Sequence, residues 1–205
     1  MKQSIQLSDH FTYGRLLRFT LPSIGMMIFT SIYGVVDGFF VSNFAGKTAF
    51  AAINLIMPLL MIFSTVGFMF GTGGSALVAK TLGEGDKEKA NRYFSLFVYV
   101  CAALGIGFTV IGMFIAPPVA EALGAEGQML HDAVLYSRII LAALPFGVLQ
   151  LLFQSFMITA EKPMLGLWVT VSSGVTNMVM DAVLVTLLPQ EWKLTGAAIA
   201  TALSQ

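Results

Sequence analysis

Two carboxylates sit where carboxylates are expensive. Asp37 is the single formal charge in the 26-residue stretch FTLPSIGMMIFTSIYGVVDGFFVSNF, and Asp181 lies in the apolar run after Pro163. Burying an aspartate in a bilayer costs a few kcal/mol even on mild insertion scales, so such residues usually face a bundle interior or a wet cavity. Neither has a Lys or Arg at matching depth to act as counter-ion. Asn177 lies one helical turn from Asp181 on the same face, and Tyr33 one turn from Asp37. Thr201 adds a hydroxyl. A lone intramembrane Asn, Thr or Tyr commonly serves only as a hydrogen bond between helices. Two unpaired carboxylates are harder to explain that way. Together they can hold a proton near neutral pH or bind a cation through oxygen atoms, as a coupling site in a transporter must.

The elements that must position these groups are transmembrane helices. The chain is 57% hydrophobic and 11% charged, with a mean hydropathy of +0.83. That composition excludes a soluble domain and describes an all-α, polytopic membrane protein. A polar and then amphipathic segment over 1–18, in which Ser8 or Asp9 can cap a short surface helix, precedes the first span. Spans are expected at about 19–44, 50–79, 94–116, 134–160 and 164–188, with a sixth starting at 196 and running only to Gln205. The expected architecture is an N-terminal six-helix lobe whose sixth helix is truncated, with no C-terminal lobe. Pro22 should kink the first helix, Pro117-Pro118 should end the third, and Val119–Asp132 has room for a short interfacial helix.

Charge distribution orients the bundle. Lys2, Arg15, Arg18, Lys80, Lys87, Lys89, Arg92 and Lys162 fall on one side, and Lys47 and Lys193 on the other, with Arg138 just inside span four. The positive-inside rule puts the N-terminus in the cytoplasm. Trp168 and Trp192 then fall near opposite interfaces, where tryptophan anchors helices. On this orientation Asp37 lies about 28 Å, and Asp181 about 27 Å, above the cytoplasmic helix ends. Thr201, five residues into a descending sixth helix, comes to similar height. One pocket can therefore collect Asp37, Asn177, Asp181, Thr201 and Tyr33 if helices one, five and six are neighbours.

Other signals are quieter. Thr30, Gly34, Gly38 and Ser42 on span one, and Gly67, Gly71, Ser75 and Ala79 on span two, recur every four residues, as small residues do where helices pack closely. GTGGSALVAKTLGEGD lacks the order of a phosphate loop. Cys101 sits in an apolar run and reads as a packed thiol, and His10 and His131 belong to no cluster with metal-ligand spacing. No cofactor is called for, and no metal beyond a Na+ at the coupling site. The N-terminus shows no removable signal peptide.

Several motifs together resemble the multidrug and toxic compound extrusion (MATE) transporters. They are Leu21-Pro22 followed fifteen residues later by Val36-Asp37, LGEGDKEKANR after helix two, TNMVMD in helix five, and LTGAAIATALSQ opening helix six. The resemblance implies the N-terminal half of a two-lobe transporter that exchanges H+ or Na+ for organic, often cationic, drugs by alternating access. It is not an enzyme. It also implies that Asp37, Asn177, Asp181 and Thr201 form the cation-coupling site, with Tyr33 a neighbour. It implies as well a setting in a bacterial or archaeal cell membrane, with the lipid bilayer and a C-terminal lobe as partners and no nucleic acid. A flippase for lipid-linked saccharide shares the bundle but should carry more Lys and Arg in its cavity. An intramembrane aspartyl protease also needs two aspartates, and Gly83–Asp86 superficially fits its G-x-G-D string, but among Lys80, Glu84, Lys87, Glu88 and Lys89 it reads as a solvated turn.

The orientation is open to a direct check. A cysteine placed in the 84–86 turn should be labelled only from the cytoplasmic face, and one at position 127 only from outside; the reverse pattern overturns both the topology and the depths.

Overall fold

Helix ends, more than helix existence, are where the computed structural model departs from the hydropathy pattern. It describes residues 12–205, so the expected cap at Ser8 or Asp9 lies outside the described residues. In order come α1 (Tyr13–Phe40), a π-helical turn (Val41–Ala45), α2 (Lys47–Gly83), α3 (Lys87–Ala122), α4 (Gly127–Thr159), α5 (Pro163–Leu187), a 3-10 turn (Gln190–Trp192) and α6 (Lys193–Leu203). No strand occurs among the described residues. Five helices, the first counted together with its π turn, are long and apolar enough to cross a membrane. The chain is an integral, multi-pass membrane protein.

Most helices outrun the apolar spans because polar turns extend them into water. Asp86 caps α3 by accepting from the Lys89 N–H at 3.0 Å, and exposed Lys80–Glu84 and Glu88–Arg92 pairs brace the facing turns of α2 and α3. Gly85 adopts φ 87° between them, the left-handed conformation that glycine takes without strain. Two expectations fail at the other end of α3. Pro117 and Pro118 do not end it, and no separate interfacial helix follows; α3 continues to Ala122 and α4 begins at Gly127. The prolines cost two backbone bonds, but Ala116 and Ala120 are fully buried on either side and hold the last turn in the bundle. Pro22 lies within α1, which runs on past it with one backbone donor missing from its ladder.

The bundle is organised around α4, which packs against α2 and α3 on one side and α6 on another, while α1 lies along α5 and α5 along α6. Ile56, Leu141, Leu144, Val148 and Leu152 form its enclosed centre. Close approach depends on glycine. A Cβ on Gly67 would run into the Val148 carbonyl oxygen and lie 2.9 Å from its Cα, and one on Gly105 would lie 2.8 Å from Pro145 Cα. Pro145 cannot donate to the Leu141 carbonyl, and Thr109 of α3 supplies that donor through its Oγ1 at 2.6 Å. The small-residue row of α2 is thus a packing seam. The row on α1 is not: nothing lies within 4 Å of a Cβ on Gly34, and Gly38 meets only the Phe50 ring at 3.5 Å. That row lines a cleft.

The contrast between glycines is measurable. Gly67→Ala should cost about 1–3 kcal/mol by overpacking against immovable backbone and lower the thermal midpoint of the detergent-solubilised protein. Gly73→Ala, with open space at its Cβ, should leave that midpoint unchanged or raise it. Equal effects would mean that α2 and α4 are not in contact through Gly67.

Candidate functional site

Four helices converge on the aspartates. Asp37 comes from α1, Asn177 and Asp181 from α5, Thr201 from α6, and Tyr136 from α4. The convergence follows from local sequence. Gly174 removes the side chain that would block α1 on this face of α5, and the Phe29 and Tyr33 rings occupy the space, Tyr33 Cδ1 standing 3.0 Å from where a Cβ would be. At the outer end, the Gln190 amide donates to the Phe44 and Ala45 carbonyls at 3.2 and 3.3 Å. Those carbonyls close the π turn after α1, so the α5–α6 connection holds α1 in register beside it.

Asp181 and Asn177 are buried, with 0% and 2% of their surface exposed. The Asp37 and Asp181 carboxyl groups lie side by side, near enough for one proton to be shared between them. The Asn177 amide approaches Thr201 Oγ1 at 3.5 Å, and Thr201 donates to the Ala197 carbonyl at 3.1 Å. Tyr33 stands beside Asp37 at the edge of the cluster. All five residues singled out from the sequence are therefore in one neighbourhood. Tyr136 was missed. Its hydroxyl is within hydrogen-bond reach of Thr201 and close to both carboxylates, and it is 3% exposed. Its position in the outer part of span four, the half of the membrane reckoned for the aspartates, is the signal that could have found it.

The cluster has acceptors and too few donors. Among the described residues, the enclosed side-chain atoms without a hydrogen-bond partner are Asp37 Oδ1, Asn177 Oδ1, Asp181 Oδ1 and Asp181 Oδ2. Every one is an oxygen, and all belong to this site. Among the described residues, no Lys, Arg or His forms an ion pair with either aspartate. Leaving such groups bare costs kcal/mol each, more for charges. A proton on the carboxyl pair, or a hard cation ligated by these oxygens, removes that cost.

Comparison with known proteins fixes the family. The MatE family model matches residues 22–183. The chain belongs to the MatE family. It is 25% identical over 189 residues to the multidrug export protein MepA of Staphylococcus saprophyticus, covering 92% of this chain and 42% of that protein. With MepA of Staphylococcus haemolyticus it shares 26% identity over 203 residues, 99% of this chain and 44% of the relative. A MOP superfamily transporter from Pyrococcus furiosus superposes with a TM-score of 0.85 at 25% identity, over 92% of this chain and 41% of that one. A multidrug resistance MATE family transporter in an outward-facing conformation gives the same score, identity and coverage. The family is one of transporters, not enzymes. This MatE chain spans less than half the length of the relatives it matches.

Proposed function

We propose that this MatE chain is the N-terminal, cation-coupling lobe of an H+- or Na+-driven antiporter that exports small organic, often cationic, compounds by alternating access. It acts with a C-terminal lobe of similar size, in a bacterial or archaeal cell membrane with its N-terminus in the cytoplasm. The observation that carries the reading is the set of four enclosed, donor-less oxygens on Asp37, Asn177 and Asp181. Asp37, Asn177, Asp181 and Thr201 hold the coupling ion, and Tyr33 and Tyr136 shape the site from α1 and α4. The likeness to multidrug export proteins supports organic drugs as cargo.

Coupling follows from charge. The site is anionic without its cation and neutral or less anionic with it, so the conformations that seal it and those that open it are stabilised to different extents by the ion. A ligand shifts only equilibria between states that it binds unequally, and drug and cation drive each other when their preferences oppose. α1 is the element best suited to respond. It carries Asp37, it is interrupted in its hydrogen-bond ladder at Pro22, and on one side it faces a cleft instead of a packed helix.

The alternatives fit less well. A flippase for lipid-linked pyrophosphate wants a cationic cavity. The cavity between α4 and α6, about 680 Å3, has Arg138 as its only Lys or Arg, with Leu135, Ile139, Phe146 and Ile199 among its apolar walls. The protease reading fits poorly, because Asp86 is a helix cap in the exposed α2–α3 turn and belongs to neither helix that carries Asp37 and Asp181.

The test is substitution by the neutral isostere. Asp37→Asn in the complete transporter should reduce drug export to background while membrane insertion and thermal stability stay near wild type. Undiminished export would remove the coupling role.

A further inference from the structure

The cleft between α1 and α2 is a second place where oxygen atoms collect inside the membrane. It has a volume of about 480 Å3 and is lined by Gly34, Asp37, Gly38, Ser42, Asn54 and apolar neighbours including Phe50. Asp37 is therefore common to the cleft and the buried cluster. Space in the cleft is preserved by glycine, since a Cβ on Gly34 meets nothing within 4 Å.

Asn54 is the unusual wall residue. Its Nδ2 donates to the Phe50 carbonyl at 2.8 Å, which orients the amide and leaves Oδ1 as its uncommitted atom. Its main-chain carbonyl is also released, because the residue four positions on is Pro58, within α2, which has no N–H to give. Ser42, by contrast, is engaged with the Phe39 carbonyl at 3.2 Å and the Asn43 amide at 3.3 Å. One uncommitted amide oxygen thus shares the cleft with one carboxylate, while the carbonyl freed at Pro58 faces the C-terminal end of α2. An all-oxygen set suits a hard cation.

We propose that the α1–α2 cleft is an entry station for Na+, held by the Asn54 side-chain oxygen with Asp37 before it passes to the carboxylate pair, and that Asn54 determines specificity there. The inference rests on the cation-coupling reading and adds a route and a residue to it. The Asn54 amide oxygen replaces part of the ion's hydration shell, and Asp37, common to the cleft and the cluster, then passes the ion toward Asp181 and Asn177. An amide at position 54 admits a monovalent ion and offers no charge that would trap it.

The experiment reads Asp37 itself. In the purified complete transporter, a hydrophobic carbodiimide modifies Asp37, and peptide mass spectrometry gives the rate in NaCl and in choline chloride of equal ionic strength. Na+ should slow modification, and Asn54→Leu should raise the half-protecting Na+ concentration about tenfold, the worth of one ion-ligating oxygen. In Asn54→Cys, a bulky methanethiosulfonate reagent installed on the folded protein should plug the cleft and slow Asp37 modification severalfold; the enclosed Cys101 stays unreacted. Protection by Na+ that is unchanged in Asn54→Leu, absent in wild type, or indifferent to the plug overturns the station. None of those results touches the coupling role of Asp37, which stands or falls separately on export by Asp37→Asn.

Discussion

Two aspartates brought together inside a membrane bundle, with no basic side chain paired to either among the described residues, are the constraint on which this structure turns. Asp37 and Asp181 come from helices far apart in the chain and meet with Asp37 Oδ1 and both Asp181 oxygens enclosed and without a hydrogen-bond partner. An arrangement of this kind is unstable unless something positive is bound, because the low-dielectric interior magnifies both the repulsion between the pair and the cost of removing it from water. The bundle is therefore complete only with a proton or a cation in it. On the function proposed above, that requirement turns a packing problem into a coupling device.

The rest of the fold keeps the pair together without neutralising it. α4 supplies the rigid wall: its proline is accommodated by Gly105, its orphaned carbonyl is satisfied by Thr109, and its outer turn presents Tyr136. α5 brings Asn177 and Asp181 on one face and yields room for α1 at Gly174. Gln190 clasps the π turn at the end of α1. On its far side α1 is left free along the Gly34–Ser42 row, where the cleft lies. A helix clasped at one end, broken in its ladder near the other and open on one flank can move without dismantling the core.

Much of this was legible in the sequence because the bilayer imposes simple rules. Apolar length identifies the spans, and an intramembrane Asp without a counter-ion identifies the site, so Asp37 and Asp181 stood out, and the spacing of Asn177 followed from one helical turn. What periodicity cannot convey is which neighbour a face meets. The four-residue rows on α1 and α2 look alike, yet one packs against Val148 and the other lines a cleft. Tyr136 escaped notice because aromatic residues are common in spans and only the fold shows its hydroxyl beside Thr201. Pro117 and Pro118 misled because a proline removes a backbone donor without by itself ending a helix whose next turn is packed, as α3 is at Ala120, and helix ends misled because capping and ion pairs carry helices beyond the apolar runs.

The claim that the two aspartates form one cation-holding site is tested most directly by infrared difference spectroscopy of carboxyl protonation in wild type, Asp181→Asn, Asp37→Asn and the double variant. If they are one site, the titration of Asp37 changes when the Asp181 carboxyl is removed, and the carboxyl signal disappears in the double variant. If Asp37 titrates identically with and without Asp181, the two carboxylates act independently and do not hold one coupling ion between them.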